Sequence, residues 1–304
     1  MEVSCIACGG GRVTDLGPLP NFTPALRGQA GAACPTGSLY RCHDCTLRFR
    51  APLPKDEELM SHYEGLSGDD WWQYESEREV WHHVRDLLRD VPERSVLDVG
   101  CFRGDLLKFL GGGWELFGVE PSADARREAR SRGVNVIGDN VDSLRGETRR
   151  FGAITLIDVI EHLPRPLDAL RTLSRLLLPG GRLVVFTGST DAWTWRFAKL
   201  HYWYCAMPEH VAFFRPSWFR WAAPRLGCAV DSVRRLAYQP SPPRTRLTEA
   251  LYNIVYAAYH RLEEWPVLPR LLRAAPFVSR VGSWESCWWT SARDHILVSL
   301  SKEG

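Results

Sequence analysis

A chain of 304 residues, 45% hydrophobic and 24% charged, is long enough to bury one full domain and a smaller appendage. A formal net charge of +2 gives no general argument for nucleic acid or an anionic surface as partner, and no stretch approaches the about 18 uncharged apolar residues of a membrane span. The N-terminus, MEVSCIACGGG, has neither a basic segment nor an apolar one of the kind that directs secretion, so the chain reads as cytoplasmic. In that compartment nine cysteines point to metal or catalysis before disulfides.

In chain order, residues 1–55 come first. They carry two knuckles, Cys5-x2-Cys8 and Cys42-x2-Cys45, amid dense glycine and proline and little apolar periodicity. So few apolar residues cannot sustain an independent core, and a metal would supply the missing stability. Each knuckle presents two thiolates from one tight loop, and two knuckles complete a tetrahedral four-cysteine zinc site. The expectation is therefore a small zinc ribbon with structural Zn2+ on Cys5, Cys8, Cys42 and Cys45. Such a site has no open position for substrate, and His43, inside the second knuckle, is not needed. Residues 56–93 read as a linker followed by an amphipathic helix, with Val80, Val84, Leu87 and Leu88 on one face and Pro92 ending it.

From residue 94 short β-rich runs alternate with helical stretches. The runs are SVLDVG, WELFGVE, VNVIGD, FGAITLIDV and GRLVVFTG; the helical stretches include DLLKFLG, SADARREARSRG, SLRGETRR and PLDALRTLSRLLLPGG. That alternation implies an α/β fold with a parallel, Rossmann-like sheet, in which ligands sit beyond the carboxyl ends of the strands. The first run ends in Asp98, Gly100 and Gly104, where backbone N–H groups open a helix. The second ends about 20 residues later in Glu120, suited to ribose hydroxyls. The third ends in Asp139 and Asn140, able to face an adenine. The fourth places Asp158, Glu161 and His162 at the mouth. A glycine loop followed by a distant acid is a pattern shared with NAD-dependent enzymes.

Taken together, VLDVGCFRGDLLKFL, FGVEPSADA, the DVIEHL box with the L-x-P-G-G turn, and EHVAFFRPSWFRWAAPRLG resemble a class I S-adenosylmethionine-dependent methyltransferase. The resemblance implies a seven-stranded sheet of order 3-2-1-4-5-7-6, its last strand antiparallel and supplied by DHILVSLSK (294–302). It implies a core of residues 94–238 plus 292–304; the amphipathic and proline-broken stretches of 239–291 read as a helical insert serving as lid or dimer contact. It also implies that Asp98, Gly100, Phe102 and Gly104 border the methionine moiety of S-adenosylmethionine. By the same token Glu120 would bind the ribose, Asp139 and Asn140 would lie by the adenine, and Asp158 would face the cofactor. Phe102 stands where the family has a glycine. Nothing in the loop demands a positive φ there, and the ring is expected to turn away from the cofactor or cap it.

A methyl acceptor needs alignment with the sulfonium carbon and often a base. Tyr202, Tyr204, Glu209 and His210, after the fifth strand, are the unassigned polar residues able to line that pocket. His210 could act as base with Glu209 orienting it, and His162 is the second candidate. The knuckle box LYRCHDCTLRFRAPLP is similar to that of bacterial deoxysugar and surface-polysaccharide methyltransferases. Their Tyr-x-Glu-His box is matched here by Met207-Pro208-Glu209-His210, without the tyrosine. This points to O- rather than C-methylation of a sugar-type acceptor, either nucleotide-linked or a surface glycan. The alternatives are a methyltransferase of a quinone, lipid or small natural product, and a non-catalytic zinc-ribbon adaptor. Trp265, Trp284, Trp288 and Trp289 in the insert could stack on a sugar, cover the pocket, form a homodimer contact or touch a membrane surface. Residues 1–55 carry no basic stripe interleaved with aromatics, so no nucleic-acid partner is expected.

Overall fold

The computed structural model describes residues 3–19, 37–54, 78–207, 209–262, 276–282 and 288–304. Three short N-terminal strands, β1 (Val13–Pro18), β2 (Ser38–Cys42) and β3 (Arg48–Ala51), form an antiparallel ribbon. The strands that follow are β4 (Ser95–Val99), β5 (Glu115–Val119), β6 (Asn135–Gly138), β7 (Phe151–Ile157), β8 (Leu177–Gly188), β9 (Ala212–Phe213), β10 (Cys228–Leu236) and β11 (His295–Lys302).

Seven of these make one sheet of order β10-β11-β8-β7-β4-β5-β6. Counted from β4 as the first strand, that is the order 3-2-1-4-5-7-6 implied by the sequence. The pairs β4–β5, β4–β7, β5–β6 and β7–β8 are parallel, and β11 runs antiparallel between β8 and β10. The central strands read as unbroken apolar runs because both faces are covered. Leu97, Val99, Ile154 and Leu156 enter one core, while Val96, Ala153, Val184 and Phe186 enter the other. Alternate residues of each strand thus hold opposite layers of the domain.

The helix Glu79–Leu87 buries Val80, Val84, Leu87 and Leu88 as the stripe predicts, and ends before Pro92 is reached. Two local expectations shift. SLRGETRR forms only a 3-10 turn, Val141–Gly146. LLPGG does not close the helix Pro166–Arg175; it enters β8 as a register irregularity between the pairs Phe151↔Leu177 and Ala153↔Arg182. After β10 the helices Pro243–Leu262 and Pro276–Gly282 pack together, with Tyr256 and Val281 between them. Among the described residues no helix is long and apolar enough to cross a membrane.

The N-terminal ribbon is joined to the larger sheet's domain through β9, which pairs with β3 in the register Arg48↔Phe213 and Phe49↔Ala212. Cys5, Cys42, Cys45, Leu47 and Phe49 share a buried cluster with Phe214, Trp218 and Phe219. The ribbon thereby gains the apolar burial that its own composition lacks.

Candidate active site

The loop after β4 needs glycine at two places. Gly100 has φ +76°, and a Cβ there would stand 2.5 Å from Val159 Cγ2. Gly104 has φ +80°, begins the helix Asp105–Leu110, and would meet Val134 Cγ2 at 2.8 Å. Between them Phe102 also lies in the left-handed region, at φ +47°. This corrects the expectation that the loop makes no such demand: the glycine usual there is wanted for its backbone as well as for its size. The ring faces the guanidinium of Arg103 at 5.1 Å, and Arg103 Nε pairs with Glu128 at 3.0 Å. The side chain is thus braced by Arg103 while its own N–H points to Glu120.

Glu120, at the end of β5, accepts from Phe102 N at 2.9 Å and from Ser122 N at 2.8 Å. One carboxylate thereby ties the first loop to the start of the helix Ala123–Ser131. Burial raises its pKa against the opposing pull of those two amides. Each oxygen has lone-pair capacity beyond its amide, so the two can still accept from a vicinal diol. Asp98 is buried within β4 and accepts from Thr155 Oγ1 at 2.6 Å. Burial pushes it up to about 7, the Glu120 charge adding to the effect. Asp139 and Asn140 lie exposed at the rim, where Asn140 Oδ1 caps the following turn by accepting from Ser143 N at 3.0 Å.

Across the cavity, Asp158 follows β7 with φ +55° and pairs with Arg78 at 2.8 Å. Glu161 is buried and accepts from Thr187 Oγ1 at 2.9 Å and from the Tyr204 hydroxyl. That hydroxyl in turn accepts from Gly188 N at 3.1 Å. Burial, with the nearby Asp158 charge, raises Glu161 to about 7, and Tyr204 is driven well above its ordinary value. His210 is buried with Nδ1 2.9 Å from the Tyr204 carbonyl, which can only accept; Nδ1 therefore carries the proton and Nε2 the lone pair. Burial, aided by His162, lowers His210 to about 3. The two imidazoles meet edge to face at 5.0 Å, and His162 is the partly exposed one. Ligand atoms of Glu161, His162 and His210 all lie within 4.8 Å of one another, close enough for one cation to bridge.

These groups line one cavity of about 1710 Å³. Single-ligand pockets run to roughly 300–1,000 Å³, so the space admits a cofactor and an acceptor together. Its apolar walls include Trp203, Tyr238 and Trp288. Of the sequence candidates, Asp98, Gly100, Phe102, Glu120, Asp139, Asn140, Asp158, His162, Glu209 and His210 all border it, as does Tyr204. Gly104 instead sits behind the loop against Val134 and Ala129. Tyr202 packs away from the cavity on Trp195. Trp289 is buried edge-on against Trp193, whereas Trp265 and Trp284 lie outside the described residues. Arg78, Thr155 and Thr187 were not singled out in the sequence, because isolated polar residues in or beside strands carry no spacing signal.

The two knuckles converge at the far end of the ribbon. Cys5 and Cys45 sulfurs are 3.5 Å apart, Cys8 and Cys42 sulfurs 3.6 Å, and none of the four is in a disulfide. Thiolates about 2.3 Å from a tetrahedral centre are separated by roughly 3.8 Å, so the set fits zinc. Asp44 N donates to Cys42 Sγ at 3.3 Å, the kind of amide contact that favours a thiolate. The hydrogen bond with Cys45 holds Cys5 down at about 5, and the same contact raises Cys45. His43 is turned outward to Thr14 Oγ1 at 2.7 Å.

Comparison with known proteins adds family and relatives. A family profile described as "Methyltransferase domain" matches residues 71–233. The "Ubiquinone biosynthesis O-methyltransferase" of Alkalilimnicola ehrlichii is 28% identical over 217 residues, covering 63% of this chain and 86% of that protein. Its namesake from Serratia proteamaculans is 29% identical over 185 residues, covering 53% and 76%. Among solved structures, an S-adenosylmethionine dependent methyltransferase from Mesorhizobium loti aligns with a TM-score of 0.47 and 16% identity, over 73% of this chain and 97% of that one.

Proposed function

The chain belongs to the class I S-adenosylmethionine-dependent methyltransferases, and on that premise we propose that it O-methylates an aromatic, quinone-type hydroxyl acceptor. The observation that carries this reading is the large cavity that the glycine loop shares with Glu161, His162 and His210, with Trp203, Tyr238 and Trp288 in its walls. Flat aromatic walls suit a planar ring better than a hydrated sugar. The relatives named for ubiquinone biosynthesis support the quinone alternative; the sugar-type acceptor draws no such support. The adaptor alternative is set aside, since the chain belongs to a family of enzymes.

In this reading Glu120 accepts from the ribose hydroxyls, Asp98, Gly100 and Phe102 shape the methionine end, and Gly104 only holds the turn behind them. Asp139 and Asn140 form the adenine rim, with Asn140 acting through its capped turn. S-adenosylmethionine supplies, when bound, a methyl group on a positively charged sulfur. The mouth carboxylate Asp158 places negative charge at that end of the cavity, and Asp98 and Glu161, which burial raises to about 7, add to it where they are ionised.

The acceptor hydroxyl would give its proton to His162 as its oxygen takes the methyl group, the methyl–sulfur bond breaking to leave a neutral thioether. His162 is favoured over His210 because a partly exposed imidazolium is solvated, whereas His210 is buried and held at about 3. His210 instead presents the Nε2 lone pair, and Glu161 beside the two rings stabilises the positive charge as it forms. Trp288 and Thr290 bring the 239–291 insert to the cavity wall, which suits a lid over the acceptor. The four cysteines hold structural zinc.

The test is mass spectrometry of the purified protein with S-adenosylmethionine and two acceptors, 3,4-dihydroxybenzoate and a nucleotide-linked ketosugar. A methyl ether on the catechol is expected. Methylation of the sugar with the catechol untouched would restore the sugar reading and overturn this one.

A further inference from the structure

The cavity wall that carries Met207, Glu209 and His210 is a loop, and loops are poor platforms for chemistry unless something holds them. Here the holder comes from the N-terminal ribbon. Arg50, on β3, is 1% exposed. Its Nε donates to the His210 carbonyl at 3.1 Å, and its Nη2 donates to the carbonyls of Met207 at 2.9 Å and Cys205 at 3.2 Å. Its own backbone N–H donates to the Val211 carbonyl at 2.9 Å. One residue therefore accounts for four carbonyls among the described residues of 205–211. The same loop is tied on its other side, where Val211 N donates to the Glu161 carbonyl at 2.9 Å and His210 Nδ1 to that of Tyr204.

We propose that Arg50 is a positioning residue for methyl transfer: its guanidinium sets the loop 205–211 so that His210 and Glu209 face the acceptor beside His162. It touches neither acceptor nor cofactor and acts through the loop's carbonyls. The planar fork of an arginine can serve several carbonyls in fixed directions, whereas an ammonium is a point donor on a flexible stem. The position also explains why a zinc-type ribbon is joined to a methyltransferase core at this edge. Cys42 and Cys45 anchor the turn between β2 and β3, β3 pairs with β9, and Arg50 reaches from β3 under the acceptor wall. The ribbon is thereby part of the scaffold of the active site.

The inference rests on the reading that this wall faces the acceptor, so its test has an arm independent of turnover. Full-length R50A and R50K are compared with wild type for binding of S-adenosylhomocysteine by calorimetry, hydrogen exchange of the 205–211 amides by mass spectrometry, and kcat and KM with 3,4-dihydroxybenzoate. Expected in R50A are unchanged S-adenosylhomocysteine affinity and faster exchange confined to 205–211. A fall in kcat on the order of 100-fold goes with these, the scale of a catalytic group misplaced by about 1 Å. Added guanidinium should restore R50A in part, and R50K should fall between R50A and wild type.

Unchanged exchange at 205–211 in R50A overturns the proposal. So does faster exchange across the whole ribbon and sheet with loss of S-adenosylhomocysteine binding, which would make Arg50 a fold residue only. If wild type leaves the catechol unmethylated, the acceptor reading fails, while the exchange and S-adenosylhomocysteine-binding measurements still decide whether Arg50 holds the 205–211 loop.

Discussion

Alanine is ordinarily the safer replacement and glycine the more disruptive one; at Phe102 the order should reverse. With φ at +47°, any residue bearing a Cβ carries a strain of roughly 1–2 kcal/mol that glycine does not. Glycine returns about 0.4–1 kcal/mol of that through the greater freedom of the unfolded chain. Both F102G and F102A lose the ring's contact with Arg103, so that loss cancels between them. F102G should therefore be more stable than F102A by about 0.5–1 kcal/mol, read from urea unfolding of the two proteins at one pH. Both keep the backbone N–H that donates to Glu120, so both should still bind S-adenosylhomocysteine. An alanine variant as stable as the glycine variant, or more so, would refute the claim that this backbone is left-handed and strained.

Three further outcomes are expected. Glu120→Ala leaves the Phe102 amide of the glycine loop and the Ser122 amide at the next helix start without their acceptor and should weaken S-adenosylhomocysteine binding by about 1–3 kcal/mol in calorimetry; unchanged affinity removes Glu120 from the ribose role. Asp98, ordinarily near 3.8, stands at about 7 in the folded protein. The folded state then holds a proton that the unfolded state has lost, and stability falls as pH rises from about 4 to about 7. Asp98→Asn removes that slope and should stabilise the apoprotein by ~3 kcal/mol more at pH 8 than at pH 5; an equal increment at both pH values contradicts the burial argument. Elemental analysis should find one zinc per chain. Cys42→Ser should abolish it and lower the melting temperature, and a zinc-free wild type of full stability would sink the ribbon assignment.

Much of the site could be read from the chain because parallel α/β sheets put function at strand ends, and strand ends are visible as the close of apolar runs. Asp98, Glu120, Asp139 and Asp158 were found in that way, and each reaches the cavity. The knuckle cysteines were legible from spacing alone, since two thiols on one tight turn can do little besides bind a metal or each other. Phe102 was half legible: its side chain was recognised as unusual, but φ is set by the contacts of the closed loop and leaves no mark in composition. Arg50 was invisible. It shares its hairpin with Arg41 and Arg48, and nothing local tells which guanidinium turns inward.

By itself, then, the order of residues determined the seven-stranded sheet, most of the strand-end residues that line the cavity and the four-cysteine cluster. These depend on hydrophobic period, turn residues and short ligand spacings, all of which are local. Only the tertiary structure decided that β3 pairs with β9 across more than 160 residues of chain, that Arg50 reaches the carbonyls under His210, and that Tyr204 closes on Glu161. Such contacts are made by whichever surfaces the packed core brings together. That information belongs to the whole chain at once and to no segment of it.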